Sequence, residues 1–596
     1  MPGPTRRHFI RAGGAAAAGA FVSAGCRSVK TGAEPAGRRP NVIVILTDDQ
    51  GYGDLACHGN PVLRTPNMDR LHGESVCLTD FHVVPMCSPT RGEIMTGQDC
   101  LRNRAMATCM GRHMPLAHLP LLPGILGAAG YRTGLFGKWH LGNEWPYRPF
   151  DRGFQEAVYF QGYGLTGADA HWGGDYFDPF YRHRERVKQA SGFCTDVWFD
   201  RAMDWMDAGR RAGEPFFCYL PTNAPHFPFW VAEPYRRPYA GLPPEGFYGL
   251  IANLDENLGR LEDFLRRTGL RDDTILVFLT DNGSAGNGST AVFNAGMRGG
   301  KCARYDGGHR VPCFVRWPAG GLRPPGDLAF PAQAQDLLPT IAEWCGAPLP
   351  EGASFDGASL AAPLRGAPGP ADRMFVVQYH QNSVERDDAA VVWNRWRLVF
   401  GKELYDLQSD PGQERDVSAA HPDVVRRLRA FYETWWAGVE PTLHDLAPVF
   451  VGHDRQPYVT LTASDWVGVR CDGADNIRAP SPKVTPRGGP WNLQVERDGE
   501  YEIELRRWPR EADAALTAGV PELKGREGTL KEGQALPIAS ARLAVDGEEM
   551  SRPAEAGAKG VTFRVRLRCG RARVHGRFLS AAGGDVCGAY FAYVRG

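Results

Sequence analysis

VIVILTDDQG, residues 42–51, starts as an unbroken apolar run and ends in two carboxylates and, soon after, a glycine. An aliphatic run without alternation describes a strand buried on both faces, the kind found in parallel sheets covered by helices. The pattern returns as TILVFLTDNG, residues 274–283, where Asp281 and Asn282 take the places of Asp48 and Asp49. TGLFG (133–137) and FFCYL (216–220) are shorter runs of the same kind. Ahead of the second long run, Ile251, Leu254, Leu258, Leu261 and Leu265 recur at helical spacing and make one apolar stripe. A helix that delivers the chain into a buried strand is part of a βαβ unit. The expected fold class is α/β, a mostly parallel sheet flanked by helices.

Length and composition narrow the function classes. The chain has 596 residues, room for more than one domain and a large core. Hydrophobic residues make up 43% and charged residues 23%, an ordinary globular balance. The 68 Lys and Arg residues equal the 68 Asp and Glu residues, so charge points to no nucleic-acid partner. The 14 cysteines include no Cys-x-x-Cys pair, which argues against a thiolate zinc site.

Near residue 375 the texture changes. MFVVQYH, AAVVWNRWRLVF and ELYDLQSDPGQERDV read as short antiparallel strands and turns, followed by a helix near 421–437. Farther on, Tyr501, Ile503 and Leu505 alternate with Glu502, Glu504 and Arg506, and Val561, Phe563, Val565 and Leu567 alternate with polar residues. Period two with one polar face marks a half-exposed antiparallel sheet. The expected organisation is a main α/β domain over 41–374, an antiparallel subdomain over 375–449 and an all-β, sandwich-like domain over 450–596.

The N-terminus reads differently. TRRHFIRAGGAAAAGAFVSAGC (5–26) has a twin arginine, then a weakly apolar run too short to span a bilayer. Residues 1–26 read as a twin-arginine secretion signal. Its ending resembles a lipoprotein cleavage site with Cys26 as the lipidated residue, and plain cleavage after a small residue is the other reading. Residues 27–40 read as a flexible linker. The expectation is an exported protein, periplasmic or on the cell surface, that meets a membrane only through a lipid on Cys26.

The candidate site collects at strand ends. In open parallel sheets ligands bind beyond the carboxyl ends of the strands. If the runs at 42 and 274 are neighbours, Asp48, Asp49, Asp281 and Asn282 converge. Crowded carboxylates repel unless a cation sits among them, and oxygen-only ligands suit calcium or magnesium. GKWHLG carries Lys138 and His140, NAPH carries His226, and the glycine-rich GMRGGKCARYDGGHRVP carries Lys301. In VVPMCSPTRGEIMTG (83–97), Pro89 suits a first helical position and Ser88 the cap before it, which leaves Cys87 at the positive end of a helix. Arg91 adds a fork of donors. Two lysines, two histidines, an arginine and a cation corner make a pocket for a charged tetrahedral oxyanion.

CSPTR resembles the Cys-x-Pro-x-Arg signature of the formylglycine-dependent sulfatases, a branch of the alkaline phosphatase superfamily. LTDDQGYGD, GKWHLG, NAPH, LTDNG and GGKCARYDGGHRVP are similar to that family's other motifs, and ELYDLQSDPGQERDV resembles its C-terminal subdomain. RRWPRE (506–511) and GAYFAYVRG (588–596) resemble an accessory domain of some bacterial arylsulfatase-like proteins. The resemblance implies an alkaline-phosphatase-like fold and an arylsulfatase-like sulfuric ester hydrolase whose substrate is a sulfated small molecule or saccharide. Aromatic-rich HWGGDYFDPFYRH (171–183) adds a weak hint toward sugar.

The resemblance also implies site roles. A maturation enzyme oxidises Cys87 to formylglycine, whose hydrate attacks sulfur and whose second hydroxyl then expels sulfate. Asp48, Asp49, Asp281 and Asn282 hold Ca2+, or Mg2+, with residue 87 as a further ligand, and Asp281 is a candidate base. Arg91 and Lys138 hold the hydrate and the metal site, His140 assists elimination, and His226 and Lys301 bind sulfate and protonate the leaving oxygen. The chain departs from the family in GEIMTGQ, where Gln98 stands in place of a more usual Arg. A further residue that contacts the hydrate in many members has no clear place in YFQGYG (159–164). Two other readings are a phosphonate or phosphodiester hydrolase of the same superfamily, and an inert surface protein that binds glycans through its β-sandwich.

Overall fold

Asn41–Thr47 form β1, buried along its whole length. Val42, Val44 and Leu46 face one helical layer, and Ile43 and Ile45 face the other. This two-sided burial is why the run carries no polar alternation. The computed structural model describes residues 39–596 except 382, 472 and 481–487. The signal-like stretch 1–26, Cys26 and most of the 27–40 linker lie outside the described residues.

Nine more strands join β1: β2 (Val76–Leu78), β3 (Arg132–Lys138), β4 (Glu156–Phe160), β5 (Phe180–His183), β6 (Arg186–Gln189), β7 (Phe216–Pro221), β8 (Thr274–Thr280), β9 (Cys313–Arg316) and β10 (Gly326–Leu328). The sheet order is β10-β2-β9-β8-β1-β7-β3-β4-β5-β6. The centre, β8-β1-β7-β3-β4, is parallel throughout. Both faces are covered. Helices α1 (Pro66–Gly73), α3 (Cys194–Ala212) and α4 (Glu245–Thr268) pack on the Ile43 face through Leu71, Trp198, Leu254, Leu258 and Leu261. Helix α2 (Cys87–Thr96) and the helix Leu337–Trp344 pack on the Val42 face.

Met374–Gln378, Ala389–Trp393, Trp396–Val399 and Glu403–Asp406 then form a four-stranded antiparallel meander, followed by helix α5 (Pro422–Val439). The last 150 or so residues build a four-stranded sheet, containing Gly499–Arg506 and Val561–Leu567, and a six-stranded sheet, containing Trp491–Val495 and Gly570–Leu579. Ile503, Leu505 and Phe563 of the first meet Leu493, Val574 and Phe578 of the second in one core. The alternation read at 501–505 and 561–567 is this inward and outward alternation. One pair, Val449–Val451 with Trp491–Val495, is parallel rather than antiparallel. Residues 39–596 form one compact unit. Among the described residues no helix is long and apolar enough to cross a membrane.

Candidate active site

Four adjacent strands, β8, β1, β7 and β3, deliver the site residues at one end of the sheet. Thr47 pairs with Thr280, so Asp48–Asp49 and Asp281–Asn282 leave the sheet side by side. His226 follows β7, Lys138 closes β3, and His140 stands two residues beyond it. Helix α2 supplies Cys87 and Arg91. It begins at Cys87, with Met86 as its N-cap, two residues earlier than Pro89 implies. Ser88 does not cap: its Oγ donates to the His140 carbonyl at 2.9 Å. Pro89 is tolerated at the third position because its amide would lack a helical partner there.

The two strand-end motifs close on glycine because nothing else fits. A Cβ on Gly51 would stand 2.5 Å from the Ser284 amide nitrogen, and one on Gly283 would stand 2.0 Å from the Gly307 carbonyl oxygen. Asp49 and His140 hold left-handed backbone, with φ of 71° and 55°. Such conformations cost on the order of 1–3 kcal/mol and persist where neighbours enforce them. Here the Asp49 amide donates to Asp281 Oδ1 at 3.1 Å, and Ser88 ties down His140.

The donor set suits a hard divalent cation. Asp48, Cys87 and Asp281 have ligand atoms within 4.8 Å of one another, and all three residues are buried. Asp48 Oδ1 and Asn282 Oδ1 are buried without a hydrogen-bond partner. Unpaired buried acceptors are costly, and a cation would satisfy both. Asn282 Nδ2 donates to Asp49 Oδ1 at 2.9 Å, which leaves the oxygen as the free donor atom. Cations on the chain hold the carboxylates. Arg91 reaches Asp281 Oδ2 through Nε at 3.1 Å and Nη2 at 2.7 Å, and Lys138 Nζ donates to Asp48 Oδ2 at 2.5 Å. Lys301 pairs with Asp49, and His226 Nε2 lies 3.7 Å from Asp49 Oδ2.

Burial and charge set the protonation states. Burial, then the Asp48 carboxylate, push Asp281 up to about 7, against the pull of Arg91. Burial opposes the charge on Asp49, but Lys301 and His226 outweigh it and hold that carboxyl below the usual range. Burial likewise opposes the Lys301 ammonium, and Asp49 with the acids behind it keeps it charged. Burial, then Lys138 and Arg91, push His140 well below the usual range, and burial lowers His226 to about 3. Burial pushes the Cys87 thiol up to about 11, so the unmodified side chain is a poor nucleophile at neutral pH. Its Sγ lies 3.4 Å from His140 Nδ1.

The Sulfatase family model matches residues 40–347, just over half of the chain. The chain belongs to the sulfatase family. This sulfatase is 29% identical over 374 residues to N-acetylgalactosamine-6-sulfatase of Canis lupus familiaris, an alignment that covers 56% of the chain and 68% of the relative. It is 30% identical over 454 residues to arylsulfatase A of Homo sapiens, covering 66% and 87%. The crystal structure of Ps i-CgsB in complex with k-i-k-neocarrahexaose superposes with a TM-score of 0.61 at 25% identity, covering 67% of the chain and 92% of that structure. The sulfatase is a sulfuric ester hydrolase with the alkaline-phosphatase-like fold.

All ten side chains expected at the sulfatase site surround this corner. Three neighbours of the site were not legible in the sequence. Ser88 and Cys109 both bond the His140 carbonyl, the sulfur at 2.9 Å. The Tyr163 ring centroid lies 6.0 Å from that of His140 and 5.7 Å from that of His226, in contact range of both imidazoles. Tyr163 belongs to YFQGYG, the stretch in which the further residue that contacts the hydrate had no clear place. His140 also lines a polar cavity of about 130 Å³ shared by Asn143, Asp169 and Arg182 with Gln456 and Tyr458 of the C-terminal region. A larger cavity of about 690 Å³, walled by Trp436, Trp466 and Arg470, includes none of the ten site residues.

Proposed function

We propose that the sulfatase acts outside the cytoplasm on a sulfated saccharide, with Cys87 matured to formylglycine and calcium held by Asp48, Asp49, Asp281 and Asn282. The observation that carries the site reading is the pair of buried, unpartnered oxygens, Asp48 Oδ1 and Asn282 Oδ1, at the corner where ligand atoms of Asp48, Asp281 and Cys87 lie within 4.8 Å of one another. Calcium is favoured over magnesium because magnesium retains several waters, whereas calcium accepts many oxygen ligands in flexible geometry. Asp48, Asp281 and Asn282 are 0% exposed and leave little space for water. The cation, when bound, supplies positive charge that favours an ionised hydroxyl on residue 87 and offsets the sulfate oxygens. Formylglycine supplies the nucleophile that the protonated thiol lacks.

The remaining roles belong to the chain. Arg91 orients Asp281, and Lys138 orients Asp48. His140 Nδ1 faces the reactive side chain of residue 87 and can move its proton. His226 Nδ1 contacts the Phe227 carbonyl at 2.7 Å, which fixes the ring and points Nε2 into the site. Lys301, charged and with 16% of its side chain exposed, stands at the mouth and can donate to a sulfate or leaving oxygen. The saccharide reading is supported by the polar cavity beside His140, by the name of the N-acetylgalactosamine-6-sulfatases and by the neocarrahexaose in the Ps i-CgsB crystal. Export is supported by the twin arginine at Arg6–Arg7, and membrane attachment by Cys26 at the end of SAGC.

The deciding experiment co-expresses the chain with a formylglycine-generating enzyme, measures the mass of the 83–97 peptide, and assays sulfate release from a panel of sulfated saccharides with and without calcium. The expected result is a converted residue 87 and calcium-dependent release that Cys87→Ser abolishes. Converted, calcium-loaded enzyme that cleaves nitrophenyl phosphate or phosphonate esters but no sulfate ester would overturn the reading.

A further inference from the structure

The loop after β1 runs from the catalytic carboxylates Asp48 and Asp49 to a short helical turn, Ala56–His58. There it meets residues from three other elements. Cys77 sits in the middle of β2, paired in register with Asp327 of β10 on one side and Phe314 of β9 on the other. Residues paired in this way present their side chains on the same face of a sheet. Helix α1 lays His72 over that face: its ring meets Phe314 edge-on at 5.2 Å and His58 at 5.6 Å. The ligand atoms of Cys57, His58 and His72 lie within 4.8 Å of one another, and so do those of His72, Cys77 and Asp327. Five metal-binding side chains thus form two triads that share His72.

From this geometry we infer that Cys57, His58, His72 and Cys77, with Asp327 at the rim, form a second metal site for a borderline-soft divalent ion of the zinc class. The donor set differs in kind from that of the catalytic corner. Thiolate and imidazole select zinc-like ions, whereas the catalytic oxygens select a hard cation. Zinc ligands stand about 2.0–2.3 Å from the ion, so tetrahedral partners lie roughly 3.3–3.8 Å apart. Each triad already has its ligand atoms within 4.8 Å, and side-chain rotations about the shared His72 would draw the two together to that spacing. The supporting shell is present. His58 Nδ1 contacts the Tyr52 carbonyl at 2.7 Å, and donating its proton there frees Nε2 for an ion. Tyr52 stacks on the imidazole at 4.0 Å, and the Cys57 amide donates to Asp69 Oδ1 at 2.9 Å, which fixes the turn. None of these residues falls in a Cys-x-x-Cys pair, which is why the sequence argued against such a site.

The site would tie the loop that carries Asp48 and Asp49 to β2 and β10. The test uses the full chain, stripped with a chelator and titrated with Zn2+ against a chromophoric competitor, and metal content is read by mass spectrometry. One zinc per chain at submicromolar affinity is expected, retained in Cys87→Ser and lost in the Cys57→Ser/Cys77→Ser double variant. Co2+ in place of zinc should give thiolate charge-transfer absorption that follows the same pattern. Because the double variant could fold poorly, His72→Gln provides a milder probe, with affinity at least tenfold weaker and the melting temperature of the zinc-free chain unchanged. Absence of zinc uptake by wild type, retention of the ion by both variants, or a Cys57–Cys77 disulfide in place of metal would overturn the proposal.

Discussion

Arg91 has no solvent contact and places two donors on Asp281 and a third on the Lys138 carbonyl, at 2.8 Å. It holds a buried carboxylate of the candidate metal corner rather than a surface charge. Lysine carries the same charge but lacks the planar fork, so it cannot grip Asp281 and the carbonyl together. Arg91→Lys should weaken divalent-cation binding, calcium in the proposed function, by about 10–100-fold, the usual cost of losing a partner that orients a ligand. Equilibrium dialysis of calcium measures this directly, and unchanged affinity would show that Asp281 needs no such support. The residues that were readable in advance, Asp48, Asp49, Cys87, Arg91, Asp281 and Asn282, each stand inside a run whose neighbours announce a strand end or a helix start. Ser88 and Tyr163 were not readable as site neighbours, because what they do is tertiary: one bonds a carbonyl 52 residues away, the other packs near two imidazoles from different strand ends.

Elements show the same division between local and distant causes. Strands β1, β7 and β8 and helix α4 follow from apolar runs and periodicity alone. The start of α2 does not, because the hydroxyl that would cap it is taken by the His140 carbonyl, and Met86, in extended backbone with φ of −159°, takes over the cap position. The loop after the strand Met374–Gln378 carries a pH-sensitive group that the sequence also leaves silent. His380 is 5% exposed, and its Nε2 accepts a hydrogen bond from Gln378 Nε2 at 2.8 Å. Burial, then the nearby Arg304, lower it to about 3. A histidine whose folded value lies below its unfolded value near 6.5 resists protonation while the unfolded chain accepts it. Its contribution is therefore fully present above about pH 6.5 and is lost progressively as pH falls toward 3. Between pH 7.5 and pH 5 this one residue should cost about 1–2 kcal/mol of stability. Denaturant unfolding of wild type and His380→Gln across that range tests it: the variant should lose less stability on acidification by that amount, and parallel curves would remove His380 as a cause.

At the scale of the whole molecule, the sheet order was the step that sequence could state only conditionally. The pairing of β1 with β8, on which the site depends, is set by crossover helices and not by any local signal. The seating of the C-terminal sheets against the catalytic region was invisible, because the contacts that make it, those of the buried Arg112 among them, join residues far apart in the chain in stretches without a motif. Arg112 has a fully buried side chain and sits between Glu144 of the catalytic region and Asp465 of the C-terminal region. Its Nη1 pairs with both carboxylates, at 2.8 Å for Asp465, while Nε and Nη2 donate to the carbonyls of Ala447 and Pro448 at 3.0 and 2.9 Å. Asp465 in turn accepts from the Thr462 amide at 2.9 Å, so the strand Tyr458–Thr462, which bears the cavity residue Tyr458, hangs from the same hub. Removing the cation alone leaves two carboxylates facing each other out of water, which typically costs about 3–5 kcal/mol. Arg112→Met should destabilise the chain by that order in denaturant unfolding. The triple variant Arg112→Met/Glu144→Gln/Asp465→Asn should recover most of the loss, since neutral groups of the same shape remove the unpaired charge. Equal losses in the single and triple variants would mean that the contact of Arg112 with the two carbonyls, and not its charge, seats the C-terminal sheets beside the active site.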